Sequence, residues 1–221
     1  MSLQSFITNF NEFMKDVPQV LQNDHFESSD WWKDLNEMLL TKCNMEFLGH
    51  GYFSAAFTHP EDKTKVVKIG FKIEDSGAAY AAFCRQNQGL YGIPTVYHLE
   101  RLDKAYIVVL DKLVDYRHAH EDTEGEYDAI QAVIRNGNLG SDLYRKLSPN
   151  HPIYEAAFRI RHFFEGVARF DLHNENIMIK ELETGGQQLV ITDPVSYTNN
   201  KQEMIEKENE LGFSRKQTVK T

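Results

Sequence analysis

The chain begins with apolar residues repeated at spacings of three and four, a pattern that Pro18 ends. The repeated residues are Leu3, Phe6, Ile7, Phe10, Phe13, Met14 and Val17. Because an α-helix turns once in about 3.6 residues, this spacing places a single apolar stripe along a helix. We therefore predict a first helix over this stretch, and the proline, which cannot continue it, marks its end.

A second helix is predicted after a short polar break. Ser28, Ser29 and Asp30 can cap its amino end through their side-chain oxygens. Its apolar residues are Trp31, Trp32, Leu35, Met38 and Leu39. We expect residues 1–44 to form helices that pack on the outside of the next unit. The alternative is an amphipathic arm that binds a partner protein.

Short apolar runs bounded by turn residues fill the next part of the chain, a pattern typical of antiparallel strands. Five strands are predicted, two within residues 45–57 around a glycine turn and three more at 65–70, 95–99 and 105–110. A helix is predicted between the third and fourth strands, from Asp75 or Ser76 to Gln88, because Gly89 ends its apolar pattern. This order predicts a five-stranded antiparallel sheet with one helix.

The second half of the chain predicts a helical unit followed by a hairpin. A polar loop is expected at 117–125, and helices are expected at 126–135, 142–146 and 153–168. Two apolar runs, 177–180 and 188–191, predict a hairpin that turns at 183–186. Beyond Tyr197 the sequence is polar, and residues 201–211 predict a charged helix or a frayed tail.

Composition and charge narrow the functional classes. The 221 residues carry a formal net charge of −9, so a general attraction to nucleic acid or to anionic lipid is not expected. The amino terminus lacks the features of a signal peptide, and no apolar run is long enough to span a membrane. We therefore expect a cytosolic protein. Cys43 and Cys84, the two cysteines, are predicted to be buried free thiols.

The sequence around Asp171 suggests chemistry on a nucleotide. Asn176 follows this aspartate by five positions, and Asp193 ends the second arm of the predicted hairpin. Each feature alone is more typical of an ordinary turn. Together they match the arrangement of a protein kinase, in which one Asp accepts the proton of the attacking hydroxyl while an Asn and a second Asp hold Mg²⁺. Ligands on the two arms of one hairpin can converge on that metal.

Two upstream features fit the same chemistry. Lys68 lies between two apolar residues of the third predicted strand, where a lysine needs an anionic partner such as an ATP phosphate, or an exposed edge. Gly49 and Gly51 would allow the first turn to approach phosphate oxygens, although an ordinary turn is the alternative. The predicted ATP site comprises Gly49, His50, Gly51, Tyr52, Phe53, Ser54, Lys68, Leu110 and Asp111.

Several short runs resemble a specific family, the early serine/threonine protein kinases of T-seven-like bacteriophages (Teseptimavirus type). The resemblance covers roughly residues 30–198 and is carried by five runs, at 49–56, 72–79, 82–85, 92–94 and 191–196. It implies ATP-dependent phosphorylation of host bacterial proteins, including transcription, translation and RNA-processing machinery, and phosphorylation of the chain itself. It also implies ATP and Mg²⁺ as cofactors and the host cytoplasm as location. From the charge and the lack of a long apolar run, neither a membrane nor direct nucleic-acid contact is expected.

The resemblance assigns roles to individual residues. Asp171 is the expected catalytic base, Asn176 and Asp193 the expected Mg²⁺ ligands, and Lys68 the expected phosphate-binding residue. Glu74 or Asp75 is a candidate ion-pair partner of Lys68. The sequence also departs from ordinary protein kinases, because it has Ser54 at the third glycine position, Arg169-Phe170 before the catalytic Asp, Pro and Val after Asp193, and no A-P-E segment.

The predicted fold class is α+β, a bilobal protein-kinase-like fold with a five-stranded antiparallel N-lobe sheet plus one helix and a reduced helical C-lobe. The predicted divisions are 1–44 for the packing helices, 45–113 for the N-lobe, 114–198 for the C-lobe with the catalytic loop, and 199–221 for a charged tail. Two other functions stay open. One is a small-molecule kinase of the aminoglycoside or choline type, and the other is an inactive kinase-like module that binds a host protein.

Overall fold

A five-stranded antiparallel sheet organises the structure, a computed structural model that describes residues 1–72, 76–137, 146–198 and 200–214. In chain order its strands are β1 (Phe47–His50), β2 (Ser54–Thr58), β3 (Lys65–Gly70), β4 (Val96–Arg101) and β5 (Tyr106–Asp111). Their order across the sheet is β1-β2-β3-β5-β4, with β3 at the centre. This sheet confirms the prediction of five antiparallel strands, while β4 runs two residues further than the predicted end at Leu99.

Strand β3 places its side chains alternately on the two faces of the sheet. Val67 and Ile69 are fully buried on one face, whereas Lys68, which pairs with Val108 of β5, points to the other. At the end of the strand a Cβ on Gly70 would lie 1.9 Å from the ring of Tyr106. Only glycine at this position therefore leaves room for the Tyr106 ring, which lines the same space as Lys68.

Two amino-terminal helices cover the face that carries Val67 and Ile69, which we call the packed face. Helices α1 (Leu3–Met14) and α2 (Asp30–Cys43) are the two predicted from the apolar spacing. Between them and the sheet lies an apolar cluster with fully buried aromatic and aliphatic side chains. Its largest members include Phe6, Phe10, Phe26, Leu35, Leu39, Phe57, Ile107 and Phe71. The helices are thus part of the core of this half of the molecule.

The opposite face, which we call the site face, packs against helix α3 (Gly77–Gln86) and the second half of the chain. That half contains α4 (Glu124–Gln131), a π-helical turn at Ala132–Asn136, and α5 (Ile153–Phe164). The prediction that the last helix continues to residue 168 is wrong, because Gly166 takes a left-handed φ of +80° and ends it. Strand β7 (Ala168–Phe170) follows instead.

Two small sheets complete the second half. Strands β6 (Val114–Asp115), β8 (Ile177–Glu181) and β9 (Gln187–Ile191) form one of them, and β7 pairs with β10 (Val195–Thr198) in the other. The hairpin of β8 and β9 was predicted, but β6, β7 and β10 are shorter than a periodic pattern can reveal. The pairing of β7 with β10 matters most, because it brings the segments before Asp171 and after Asp193 together.

The carboxyl-terminal stretch forms helix α6 (Lys201–Glu210), so the helix was the correct one of the two predicted alternatives. It packs on α3 and buries Met204 completely. Glu208 is also fully buried, and its Oε1 lies 2.9 Å from Nη2 of Arg101 on β4. The guanidinium of Arg101 stacks 4.7 Å from the centre of the Phe213 ring. These contacts attach the helix to the edge of the five-stranded sheet.

Both cysteines are buried and free, as predicted, with Cys43 in α2 and Cys84 in α3. Among the described residues, no helix has the length and apolar character needed to cross a membrane. Residues 142–145 of one predicted helix and residues 215–221 of the predicted tail lie outside the described part of the chain.

Candidate active site

The candidate site is built around an ion pair that joins the sheet to the second half of the chain. Nζ of Lys68 lies 2.6 Å from Oδ2 of Asp193, and the two side chains are 19% and 32% exposed. Lysine was predicted here to need an anionic partner, and the structure supplies this carboxylate. The candidate partners Glu74 and Asp75 lie outside the described residues.

Backbone hydrogen bonds place Asp193 next to Asn176. The N–H groups of Thr192 and Asp193 donate to the carbonyl oxygen of Asn176 at 2.9 and 3.2 Å. Two of the predicted metal ligands are therefore neighbours across the base of the β8–β9 hairpin. The sequence analysis predicted that ligands on the two arms of this hairpin can converge, and these bonds hold Asn176 and Asp193 side by side.

The loop from residue 171 to 176, which we call the catalytic loop after the role predicted from the sequence, is fixed at Asp171. Its N–H donates to the carbonyl oxygen of Pro194 at 2.8 Å, while its own carbonyl oxygen accepts from Nδ2 of Asn176 at 2.8 Å. Because the amide nitrogen of Asn176 is used in this way, its Oδ1 is the atom that would serve a metal. The Asp171 side chain is 49% exposed, with its Oδ1 3.9 Å from Nε2 of His173.

Helix α3 holds both ends of the segment that carries Asp193. Tyr80 donates from its hydroxyl to the carbonyl oxygen of Ile191 at 2.5 Å, and the N–H of Ser76, just before the helix, donates to the carbonyl oxygen of Ser196 at 3.2 Å. Burial raises the pKa of Tyr80 well above its usual value, so this phenol stays protonated and remains a donor. Sequence analysis did not identify Tyr80 as part of the site.

The space beside the Lys68–Asp193 pair is lined by Tyr80 and Cys84 from α3 and by Leu110 from β5. Helix α3 itself contains no acidic residue. Burial raises the pKa of the Cys84 thiol, which is therefore neutral. Within the described residues, the negative charge beside Lys68 at this position thus comes from Asp193.

Three polar side chains of α4 and the following π-helical turn anchor the catalytic loop from the other side. Tyr127 donates to Oδ1 of Asn174 at 2.8 Å, Gln131 donates to the carbonyl oxygen of Leu172 at 3.5 Å, and Arg135 donates to that same oxygen through Nη2. These residues are spaced four apart, so they lie on one helix face. The spacing was visible in the predicted helix at 126–135, but it did not reveal what the face contacts.

The predicted phosphate-binding residues 49–54 comprise the end of β1, the turn at 51–53 and the first residue of β2. We call them together the phosphate-covering turn, after the role predicted from the sequence. A Cβ on Gly49 or Gly51 would meet no atom within 4 Å, so the space around the turn is open. Gly51 closes the turn through its N–H, which donates to the carbonyl oxygen of Ser54 at 2.9 Å. His50 and Tyr52 are exposed, Phe53 is half-buried and Ser54 is buried.

The remaining predicted site residue, Asp111, ends β5 at the edge of the site. Its carboxylate accepts from the hydroxyl of Tyr97 at 2.7 Å and from Nζ of Lys180 at 3.3 Å. The structure thus brings Lys68, Asp193, Asn176 and Asp171 together through direct contacts, whereas Asp111 interacts with residues beyond that group.

Comparison with known proteins identifies the family of this chain. A family model described as Bacteriophage T7 protein kinase 0.7 matches residues 5–215. The chain belongs to this family. No curated protein matches it significantly. The family match confirms the resemblance found in the sequence and extends it to α1 and α6, which lie outside residues 30–198. Membership in a protein kinase family identifies a transferase and implies the use of ATP.

The donor atoms at the site fit a metal that arrives with a nucleotide. Among the described residues, no three His, Cys, Asp or Glu side chains gather as a metal cage. Mg²⁺ is ordinarily held by only one or two protein carboxylates together with substrate phosphates. The carboxylate of Asp193 and Oδ1 of Asn176 are hard oxygen ligands of this kind on adjoining residues. The positively charged Lys68 lies beside Asp193.

Proposed function

We propose that this chain is a serine/threonine protein kinase that transfers the γ-phosphate of Mg-ATP to host bacterial proteins and to itself. The observation that carries the proposal is the contact between Lys68 and Asp193 at 2.6 Å, with Asp193 bonded through its backbone to Asn176. Lys68 and Asp193 thus adjoin the loop that carries both Asp171 and Asn176. The five-stranded antiparallel sheet, joined to the second half of the chain by the Lys68–Asp193 pair, supports a bilobal kinase arrangement.

Each residue has a role that follows from its atoms. Lys68 binds and orients the phosphates through its ammonium, and the carboxylate of Asp193 and the amide oxygen of Asn176 hold Mg²⁺. The bound metal neutralises charge on the phosphates. Asp171 accepts the proton of the attacking hydroxyl. Its carboxylate is half-exposed beside the site, so a Ser or Thr side chain on another protein can reach it.

The backbone around Asp171 keeps its carboxylate in place. Both carbonyl groups of the first two loop residues are occupied, that of Asp171 by Asn176 and that of Leu172 by Arg135 and Gln131. These peptide units cannot rotate without breaking hydrogen bonds. Catalysis of phosphoryl transfer depends mainly on positioning, so a fixed base next to the metal ligands favours an active enzyme over a module that only binds.

The proposed partners are host bacterial proteins of the transcription, translation and RNA-processing machinery, and the proposed location is the host cytoplasm. The net charge of −9 gives no general affinity for nucleic acid or anionic membranes. We therefore propose that any effect on transcription or RNA processing proceeds through phosphorylated proteins.

The experiment is transfer of labelled γ-phosphate from Mg-ATP to a bacterial lysate, followed by phosphoamino acid analysis. Labelled phosphoserine or phosphothreonine on host proteins and on the chain is the expected result. Label found only in a small metabolite would support the small-molecule kinase instead. ATP binding without any transferred label would support a kinase-like module that grips a host protein.

A further inference from the structure

A buried lysine lies next to the phosphate-covering turn. Lys72, two residues after β3, is 3% exposed. An ammonium group removed from water to this extent requires compensating contacts. Its Nζ donates to the carbonyl oxygen of Gln22 at 2.9 Å and lies 3.1 Å from the centre of the Tyr52 ring. One cation thus contacts both the amino-terminal chain and the turn.

Tyr52 forms a second link between the same two segments. Its hydroxyl donates to the Gln22 carbonyl oxygen at 2.6 Å, so this oxygen accepts hydrogen bonds from both Tyr52 and Lys72. The ring of His25 meets the Tyr52 ring edge-on at 5.7 Å. A β-bridge between Val20 and Lys72 adds a backbone contact. Residues 17–25, which we call the N-terminal segment, therefore run directly against the turn.

The N-terminal segment is also fixed at its other end. Nζ of Lys104, in the turn between β4 and β5, donates to the carbonyl oxygens of Met14, Lys15 and Val17 at 3.1, 3.0 and 2.6 Å. Val17 and Val20 are buried in the apolar cluster on the packed face. The segment is consequently a fixed support. Lys104 and Lys72 bind its two ends, and the buried side chains of Val17 and Val20 anchor it in the apolar cluster.

We propose that Lys72 and Tyr52 are positioning residues through which the N-terminal segment holds the phosphate-covering turn over the nucleotide. The inference rests on the proposed function and on the sequence-based prediction that residues 49–54 cover the phosphates of ATP. Glycines at positions 49 and 51 give the turn a backbone with many accessible conformations. Contacts that restrict it before the nucleotide binds reduce the entropy lost on binding. The contacts therefore favour tight nucleotide binding.

Hydrogen exchange of the free protein tests this support without any assumption about catalysis. We expect Lys72→Met, which removes the cation but keeps an apolar side chain of similar length, to speed exchange of amides 49–54 by about tenfold or more. Tyr52→Phe, which removes only the hydroxyl bond, should produce a smaller increase in the same amides. Lys72→Arg, which keeps the charge, should restore part of the protection.

Lys65→Met is the matched control. Lys65 is the first residue of β3, seven positions before Lys72; it pairs with Asp62 at 2.8 Å and lies 4.2 Å from the centre of the Tyr97 ring, away from the turn. This variant should leave amides 49–54 protected as in the original chain. Unchanged exchange at 49–54 in Lys72→Met, or an equal increase in Lys65→Met, would overturn the proposal.

Steady-state kinetics then measure the consequence for the nucleotide. We expect Lys72→Met to raise KM for ATP about five- to tenfold while kcat changes by less than about twofold. A fall in kcat with an unchanged KM would contradict the positioning role. If the original chain transfers no phosphate, the proposed function fails, whereas the exchange experiment still decides whether the N-terminal segment holds the turn.

Discussion

The two faces of the five-stranded sheet differ in what they contact: one packs in the apolar core, and the other carries the lysine of the candidate site. On the packed face, Val67 and Ile69 of β3 are fully buried beneath α1 and α2. On the site face, Lys68 of the same strand reaches Asp193 in the second half of the chain. Because successive side chains of a strand point to opposite faces, three consecutive residues serve two purposes. Changes on one face should therefore affect mainly folding, and changes on the other mainly activity.

The largest effect on stability is expected on the packed face. Phe57→Ala removes a fully buried ring that contacts Trp32 and Phe47. We expect the free energy of unfolding to fall by about 3–5 kcal/mol, because the burial of the apolar ring is lost and the substitution leaves a cavity in the core. Denaturant unfolding measures this loss. A fall below about 1 kcal/mol would show that the amino-terminal helices are not part of the folded core.

The matching change on the site face should lower activity instead. Lys68→Met removes the ammonium group while keeping an apolar side chain that packs in the same space. We expect kcat to fall about 100- to 1,000-fold, the cost typical of losing one preorganised donor to a developing charge. The free energy of unfolding should fall far less than it does in Phe57→Ala. The control Lys33→Met, on the exposed side of α2, should retain activity.

A smaller effect on both properties is expected at Tyr80, because it links α3 to the end of β9. Tyr80→Phe leaves the carbonyl oxygen of Ile191 without this donor in a buried setting. We expect about 1–3 kcal/mol of lost stability, together with a decrease in kcat from a displaced Asp193. Chemical denaturation and single-turnover transfer measure the two losses. Retained stability with unchanged transfer would remove this residue from the site.

The smallest effect is expected at Arg135, which donates to the Leu172 carbonyl from an exposed position. Arg135→Met should lower kcat about five- to tenfold, since one hydrogen bond typically contributes about 1 kcal/mol, and should leave KM for ATP nearly unchanged. Arg159→Met is the control, because Arg159 pairs with Glu155 on the surface of α5. Equal losses in the two variants would show that the effect is general destabilisation.

Periodicity predicted the parts of the fold that rest on local pattern. The stripe from Leu3 to Val17 and the runs of the large sheet contain enough residues for a period to be recognised. Strands β6, β7 and β10 contain only two to four residues and depend on partners distant in sequence. Glu208 lies in the stretch that was predicted as a charged helix or a frayed tail, and its pairing with Arg101 allows complete burial. Such pairs leave no local signal.

Residue types and their order in the sequence predicted which residues form the candidate site, but not the contacts between them. The sequence indicated Lys68, Asp171, Asn176 and Asp193, and the structure brings these four together. It did not indicate that the lysine pairs with an aspartate 125 positions away, because that contact depends on how the sheet packs on the hairpin. Tyr80 was missed for the same reason. Tyr80 lies among the apolar residues of α3, so its position in the sequence indicates only an ordinary buried side chain.

The central claim is that Asp171 acts as the base of a phosphoryl-transfer site. We would measure transfer of labelled γ-phosphate and Mg²⁺-dependent ATP binding in the original chain, in Asp171→Asn, and in the control Asp34→Asn on α2. The account predicts that Asp171→Asn still binds ATP but transfers about 100- to 10,000-fold more slowly, while Asp34→Asn behaves as the original chain. Transfer by Asp171→Asn at the original rate would contradict it.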